Sequence, residues 1–377
     1  MANDDDGEIL ALLEVAYSSS EEDREASLME AGADPETIAK VLGMIDDDDT
    51  ASAFLSRTQN EQLAGFEMGR LLTTQWPEDG EPTKESFGPY KIVRLLGAGG
   101  MGRVFLAQQT EPIERTVALK VINKGVTHTK AMRDRFGHEQ QALAKLSHPN
   151  IAHIHEAGTT EDDVPYFVME YVDGERITSF CDERRYSIEQ RLALFKQVCL
   201  AVNYAHQKRL LHLDLKPSNI LVSTIDGVPV PKIIDFGIAL QLDREAIGEA
   251  EASVGIGTPN YAALEMLDPK REALDLDTRA DVYSLGVLLY ELMSGFLPRT
   301  VTRGSSGQML EQLRKAEALA PSDRLAAEVS QSLKIASARN TTARRLRGSL
   351  SGDLDAICLK ALSLDREARY GGALELG

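Results

Sequence analysis

Two regimes of hydrophobic spacing divide the chain. In residues 8–57 apolar positions recur at helical intervals, first Ile9, Leu12, Leu13 and Ala16, then Ile38, Val41, Leu42 and Ile45, which places each set on one face of a helix. Asp34 followed by Pro35 reads as a helix N-cap with proline in the first turn, and Gly32 closes the helix before it. The four aspartates at 46–49 fall where the negative end of a helix dipole disfavours them, which predicts a turn. Residues 73–87, TTQWPEDGEPTKESF, carry two prolines and no period, and read as a linker. From Gly88 the pattern changes to short β-rich runs, predicting strands at 90–96, 103–108, 116–122, 151–157 and 165–171. One amphipathic helix, 131–146, interrupts them ahead of Ser147-His148-Pro149. After Asp173 the spacing returns to helical, most clearly over 187–207 and 279–295. A β-rich half followed by an α-rich half predicts an α+β fold of two lobes with a cleft between them.

Composition narrows the class. A chain of 377 residues suits two or three domains, and a hydrophobic share of 43% excludes global disorder. Cys181, Cys199 and Cys358 have no paired spacing and no histidine cluster, so neither disulfides nor a zinc site is indicated. The N-terminus lacks the basic start and apolar run of a signal peptide. The longest apolar stretch, 282–296, is interrupted by Glu291 and falls short of the ~20 residues a membrane helix needs. The expectation is a soluble, cytoplasmic chain with no membrane segment. The net charge of −18 is uneven: residues 1–86 hold 22 Asp and Glu against 5 Lys and Arg, and the remainder 37 against 36. Nucleic-acid binding by the acidic segment is disfavoured.

Chemistry enters with the motifs. Gly97-Ala98-Gly99-Gly100-Met101-Gly102-Arg103-Val104 joins the first two strands, and glycines there let backbone N–H groups approach phosphate oxygens. A dinucleotide fold would need a helix after such glycines; here a strand follows, so that reading fails. Lys120 lies on the third strand, and Glu139 in the next helix can reach back to hold it against the α- and β-phosphates of a nucleotide. In Leu210–Asn219, LLHLDLKPSN, Asp214 would orient an attacking hydroxyl and Lys216 neutralise a transferring phosphoryl group. Asp235, in Asp235-Phe236-Gly237 after an apolar strand, offers hard oxygen ligands to Mg²⁺, and Asn219 would hold a second ion.

In this combination and chain order, residues 88–377 resemble a eukaryotic-type serine/threonine protein kinase of the bacterial branch. The resemblance implies the two-lobed kinase fold, with an N-lobe over 88–172 and a C-lobe over 173–377, behind an acidic helical extension (1–72) and the linker (73–87). It implies transfer of the γ-phosphoryl group of ATP, with Mg²⁺ or alternatively Mn²⁺, to Ser and Thr hydroxyls of protein substrates, autophosphorylation included. Leu96 and the glycine loop would cover the nucleotide, Met169 would be the gatekeeper, and the hinge from Glu170 to Val172 would bind adenine through its backbone. Val104, Ala118 and Leu221 would sandwich the ring. Leu143, Ile154, His212 and Phe236 would stack as a spine tied down by Asp281. Lys216 and Thr258, in Gly257-Thr258-Pro259-x-Tyr261, match serine/threonine rather than tyrosine kinases.

The chain departs from the family pattern in places. Leu213 replaces the arginine that normally receives an activation-loop phosphate, and Leu264 replaces a proline before Glu265, whose expected partner is Arg369. Residues 299–350 read as an insertion made basic by Lys334, Arg339, Arg344, Arg345 and Arg347, with a solvated helical face. Related domains continue past residue 377 with one more helix, so a fragment of a longer protein is expected. The rival readings are a pseudokinase scaffold signalling through the N-terminal helices or the basic insertion, and a small-molecule phosphotransferase. Lys120, Glu139, Asp214, Asn219 and Asp235 occurring together argue against the first, and the Gly-Thr-Pro-x-Tyr segment against the second.

Overall fold

The structure, a computed structural model, describes residues 86–99, 102–122, 146–160, 164–235, 259–268, 276–302 and 305–377, together with Leu28, Met29, Ala33, Thr37 and Ile38. The chain divides into two compact units, Met1–Glu81 and Pro82–Gly377. In the first, Leu28 and Ile38 are helical and buried, and the Ala33 N–H donates to the Leu28 carbonyl at 3.1 Å, a bond of the kind that ends a helix. The expected helical stretches around Ile9 and Leu42 lie outside the described residues.

The second unit begins with an antiparallel sheet made of β1 (Ser86–Phe87), β2 (Tyr90–Gly99), β3 (Gly102–Gln109), β4 (Arg115–Ile122), β5 (Ile154–Thr159) and β6 (Pro165–Glu170), in the order β1-β2-β3-β4-β6-β5. Strand alternation sorts β4 onto two faces. Val117, Leu119 and Val121 pack with Tyr90, Phe105 and Val168. Ala118 and Ile122 pack on the other face with Phe167 and Met169. Lys120 shares the period of this second set, so the sheet points it toward the cleft. Gly102, at φ +153°, must be glycine because a Cβ there would come within 2.2 Å of the Val121 carbonyl; this glycine serves the approach of β3 to β4.

A second sheet holds β7 (Glu175–Arg176), β8 (Ile220–Ile225) and β9 (Val228–Ile233). The turn between β8 and β9 is Asp226-Gly227 at φ +49° and +80°, the Asp-Gly pair that a two-residue hairpin favours. The helices are α1 (Ile177–Glu183), α2 (Ile188–Gln207), α3 (Leu264–Leu267), α4 (Thr278–Ser294), α5 (Ser306–Lys315), α6 (Pro321–Ala327), α7 (Val329–Ala338), α8 (Ala343–Leu350), α9 (Asp353–Ala361) and α10 (Ala373–Leu376). Ser187 and Gln190 form a capping box on α2. Asp277 caps α4, and Gly295 closes it in the left-handed conformation at φ +75°. Every residue of α4 from Ala280 to Tyr290 is buried, which makes it the axis of the helical lobe.

The α-rich segment 299–350 differs from expectation at one residue. Lys334, Arg344, Arg345 and Arg347 are exposed, whereas Arg339 is 2% exposed. Its guanidinium donates to the carbonyls of Met293 at 2.6 Å and Leu292 at 2.9 Å. The last carbonyls of α4 have no partner within their helix, and a five-donor fork satisfies several at once.

Candidate active site

The floor of the cleft hangs from one buried carboxylate. Asp281, near the start of α4, accepts the backbone N–H groups of His212 and Leu213, each at 2.8 Å, and lies 2.8 Å from His206 Nε2. Burial alone works against its charge, but His206, His212 and the backbone donor hold the carboxyl below the usual range. Burial also holds the fully enclosed His212 below the ordinary imidazole value. These bonds fix Leu213 at φ +60°, an unfavourable conformation for a branched side chain, directly before Asp214. Leu213 is buried in the helical-lobe core, an apolar side chain directly before Asp214.

Asp214 is then set by its neighbours. Lys216 Nζ reaches its Oδ2 at 2.8 Å, and Asn219 Nδ2 donates to its Oδ2 at 2.9 Å and to its backbone carbonyl at 2.8 Å. The amide thus spends its nitrogen on Asp214 and keeps its oxygen as an acceptor, which Ser218 Oγ meets only at 3.5 Å. The Ile234 N–H donates to the Asn219 carbonyl at 2.8 Å. That bond brings Asp235, at φ +61°, beside the same loop.

Lys120 forms an ion pair with Asp235 across the cleft. The lysine side chain is 8% exposed and the aspartate 30%. Five of the expected residues (Lys120, Asp214, Lys216, Asn219 and Asp235) are therefore linked through direct contacts and the Asn219–Ile234 backbone bond. Glu139, Gly100, Met101, Thr258, Leu143 and Phe236 lie outside the described residues, so the structure describes the Lys120–Asp235 pair and not the expected one with Glu139.

The apolar roof is partly assembled as expected. Val104 packs on the cluster of Ala118 and Met169, and the register pairs Ala118 with Met169. Leu96, Gly97 and Ala98 are exposed on β2, Val172 is buried after β6, and Leu221 is half-buried on β8. Glu170 does more than supply backbone. Its carboxylate pairs with Lys232 at 2.7 Å and accepts the His153 N–H at 3.2 Å. The sequence reading missed this brace, because Lys232 is 62 residues away and looks like an ordinary strand lysine.

Farther from the cleft, Arg369 binds Glu265 through both guanidinium nitrogens at 2.6 and 2.9 Å, with both side chains buried, as the sequence predicted. Tyr261 donates to Glu291 at 2.6 Å, Ser284 Oγ donates to the Tyr261 carbonyl at 2.8 Å, and the Val301 N–H donates to Asn260 Oδ1 at 2.7 Å. The segment after Thr258 is thus anchored by two bonds to α4 and by a third to the stretch that follows α4.

The family model for the protein kinase domain matches residues 90–375. The chain belongs to the protein kinase family. PknB of Mycobacterium tuberculosis, a serine/threonine-protein kinase, is 32% identical over 292 residues, covering 76% of this chain and 41% of the relative. PrkC of Bacillus subtilis, also a serine/threonine-protein kinase, is 30% identical over 295 residues, covering 78% of this chain and 40% of the relative. The chain thus spans about two fifths of the length of the curated relatives it matches. Among solved structures, the M. tuberculosis PknI kinase domain superposes with a TM-score of 0.54 at 26% identity, covering 79% of this chain and 96% of that one. The fold is the two-lobed kinase fold, with the six-stranded sheet as N-lobe and α1–α10 in the C-lobe. This family acts on proteins with ATP and a divalent metal. Among the described residues no helix is long and apolar enough to cross a membrane.

Proposed function

We propose that the chain is an active serine/threonine kinase that transfers the γ-phosphoryl group of ATP to Ser and Thr hydroxyls of proteins, its own included, and that it works in the cytoplasm. The observation that carries this reading is the convergence of Asp214, Lys216, Asn219, Asp235 and Lys120 on one cleft. A scaffold would have no need to keep two carboxylates, two cations and an amide so placed.

In this reading Asp214 accepts a hydrogen bond from the incoming hydroxyl and turns its lone pair toward the phosphorus. Lys216, already on the same carboxylate, lies where it neutralises negative charge on the transferring group. Lys120 holds the α- and β-phosphates and exchanges its contact with Asp235 for them, with Glu139 as its support. Leu96, the loop from Gly97 to Gly102 and the cluster of Val104, Ala118 and Met169 enclose the nucleotide with Leu221, and the hinge from Glu170 to Val172 takes the adenine edge. By the resemblance, Thr258 would serve the acceptor hydroxyl together with Lys216.

The donor set fits Mg²⁺: one carboxylate at Asp235 and one amide oxygen at Asn219 are hard ligands, few enough to leave places for phosphate oxygens and water. Mn²⁺ suits the same set. The ion supplies charge neutralisation between phosphates; the residues above supply orientation. Because Leu213 is buried and apolar, activity should not depend on activation-loop phosphate, and phosphatase-treated protein should keep its rate. The test of the function is incubation with Mg²⁺ and γ-labelled ATP. Label on Ser and Thr supports the reading, and bound nucleotide without label contradicts it.

A further inference from the structure

Behind the hinge, away from the phosphate-transfer residues, His153 and His155 stand at the outer edge of the N-lobe sheet. Their ring centres are 5.2 Å apart with planes at 67°. Zn–N bonds of about 2.0–2.1 Å at a tetrahedral angle bring two coordinating imidazoles to a centre-to-centre distance of about 5 Å. The observed centre-to-centre spacing matches that value. The backbone is also irregular at this point. In the pairing of β5 with β6, Ile154 faces Met169 and Glu156 faces Val168, so His155 is an extra residue, a bulge of the kind that re-aims a side chain at a sheet edge.

The surroundings suit an open site. His153 is exposed and His155 half-buried, which leaves room for water in the remaining coordination positions. The Glu170 carboxylate accepts the His153 backbone N–H and is within electrostatic reach of His155, so a negative charge stands beside the pair. Arg115 opposes a cation here, although its Nε is held by Gln109 Oε1 at 2.6 Å. Among the described residues no three His, Cys, Asp or Glu side chains converge as a full cage. The site is therefore a pair and not a cage, a zinc-class site of which the cysteine spacing gave no sign.

We propose that His153 and His155 form a solvent-open, two-imidazole site for a borderline divalent transition ion of the Zn²⁺ class, coupled to the hinge. The coupling follows from two bonds: the Glu170 N–H donates to the His153 carbonyl at 2.8 Å, and its carboxylate accepts the His153 N–H. Fixing His153 fixes the residue that begins the hinge. This second part rests on the nucleotide-binding reading above; the ion site itself does not.

The test titrates metal-stripped, tag-free full chain with Zn²⁺ in excess Mg²⁺ and without nucleotide, beside His153→Ala, His155→Ala, the double variant carrying both, and the two corresponding Gln variants. One ion per chain is expected, with each substitution weakening binding roughly tenfold or more and leaving the metal-free thermal midpoint unchanged. Undiminished Zn²⁺ binding in the double variant, or none in the wild type, overturns the site. Adenosine, which has no phosphate to compete for the ion, then probes the hinge. Its affinity should change with Zn²⁺ in the wild type and not in the double variant. Equal affinity with and without the ion overturns the coupling. A chain that binds neither adenosine nor ATP refutes the proposed function and leaves the Zn²⁺ titration to decide the site.

Discussion

On the floor of the cleft, Asp214 is gripped by Lys216 and Asn219, and the backbone before it hangs on Asp281. On the roof, Lys120 is placed by the alternation of β4 and, among the described residues, meets the floor through Asp235. The floor is a hydrogen-bonded network whose members hold each other in an unfavourable backbone conformation. The roof is a position on a sheet whose core is filled by other residues. Damage to the first should therefore spread into stability, and damage to the second should stay with the chemistry.

The largest effect should come from Asp281→Ala. It strands two buried backbone donors and breaks the His206 contact, and each stranded group costs about 1–3 kcal/mol. Urea denaturation should show a loss of about 3–6 kcal/mol, with activity gone at the same time. A folded, active variant would mean that the network does not hold the loop. Next comes Arg369→Ala, which leaves the Glu265 carboxylate without its bidentate partner in the core. A loss of about 3–5 kcal/mol is expected, read as a lower thermal midpoint with no catalytic group touched. Wild-type stability there would show that the pair contributes little.

Lys120→Met should do the opposite. Its stability should stay within about 1 kcal/mol of wild type, while the transfer rate falls by about a hundredfold or more. A strongly destabilised Lys120→Met protein would erase the distinction between roof and floor.

The smallest effect is on pH dependence. His212, buried and neutral in the fold, has its proton affinity lowered, so below about pH 6.5 the unfolded chain binds more protons than the folded one. Stability should be level above that pH and fall as pH drops through it. Asp281, held below the usual carboxylate range, adds a further loss only below about pH 4. Denaturation midpoints at pH 8, 6.5 and 5 check the first slope, and a midpoint that rises on acidification would contradict it.

What could be read from the sequence follows the same division. Strands β2–β4 and helices α2 and α4 were legible because their apolar periods are regular, and the short spacing of Asp214, Lys216 and Asn219 made the floor legible too. Arg369 was found because a motif named its partner. The misses are long-range contacts. Arg339 looked like part of a basic face, but its acceptors, the carbonyls at the end of α4, are 46–48 residues away. Lys232 and Glu170, or Tyr261 and Glu291, likewise meet only once the chain has folded. The bulge at His155 leaves no mark in composition or period.

The account's central claim is that the floor performs transfer while the roof holds nucleotide. Nucleotide affinity and turnover measured side by side in Asp214→Asn and Lys120→Met test it most directly. Asp214→Asn should bind ATP as the wild type does and lose turnover by about a hundredfold or more, whereas Lys120→Met should lose both. Turnover retained in Asp214→Asn, or ATP binding lost in it while Lys120→Met keeps its own, would contradict the account.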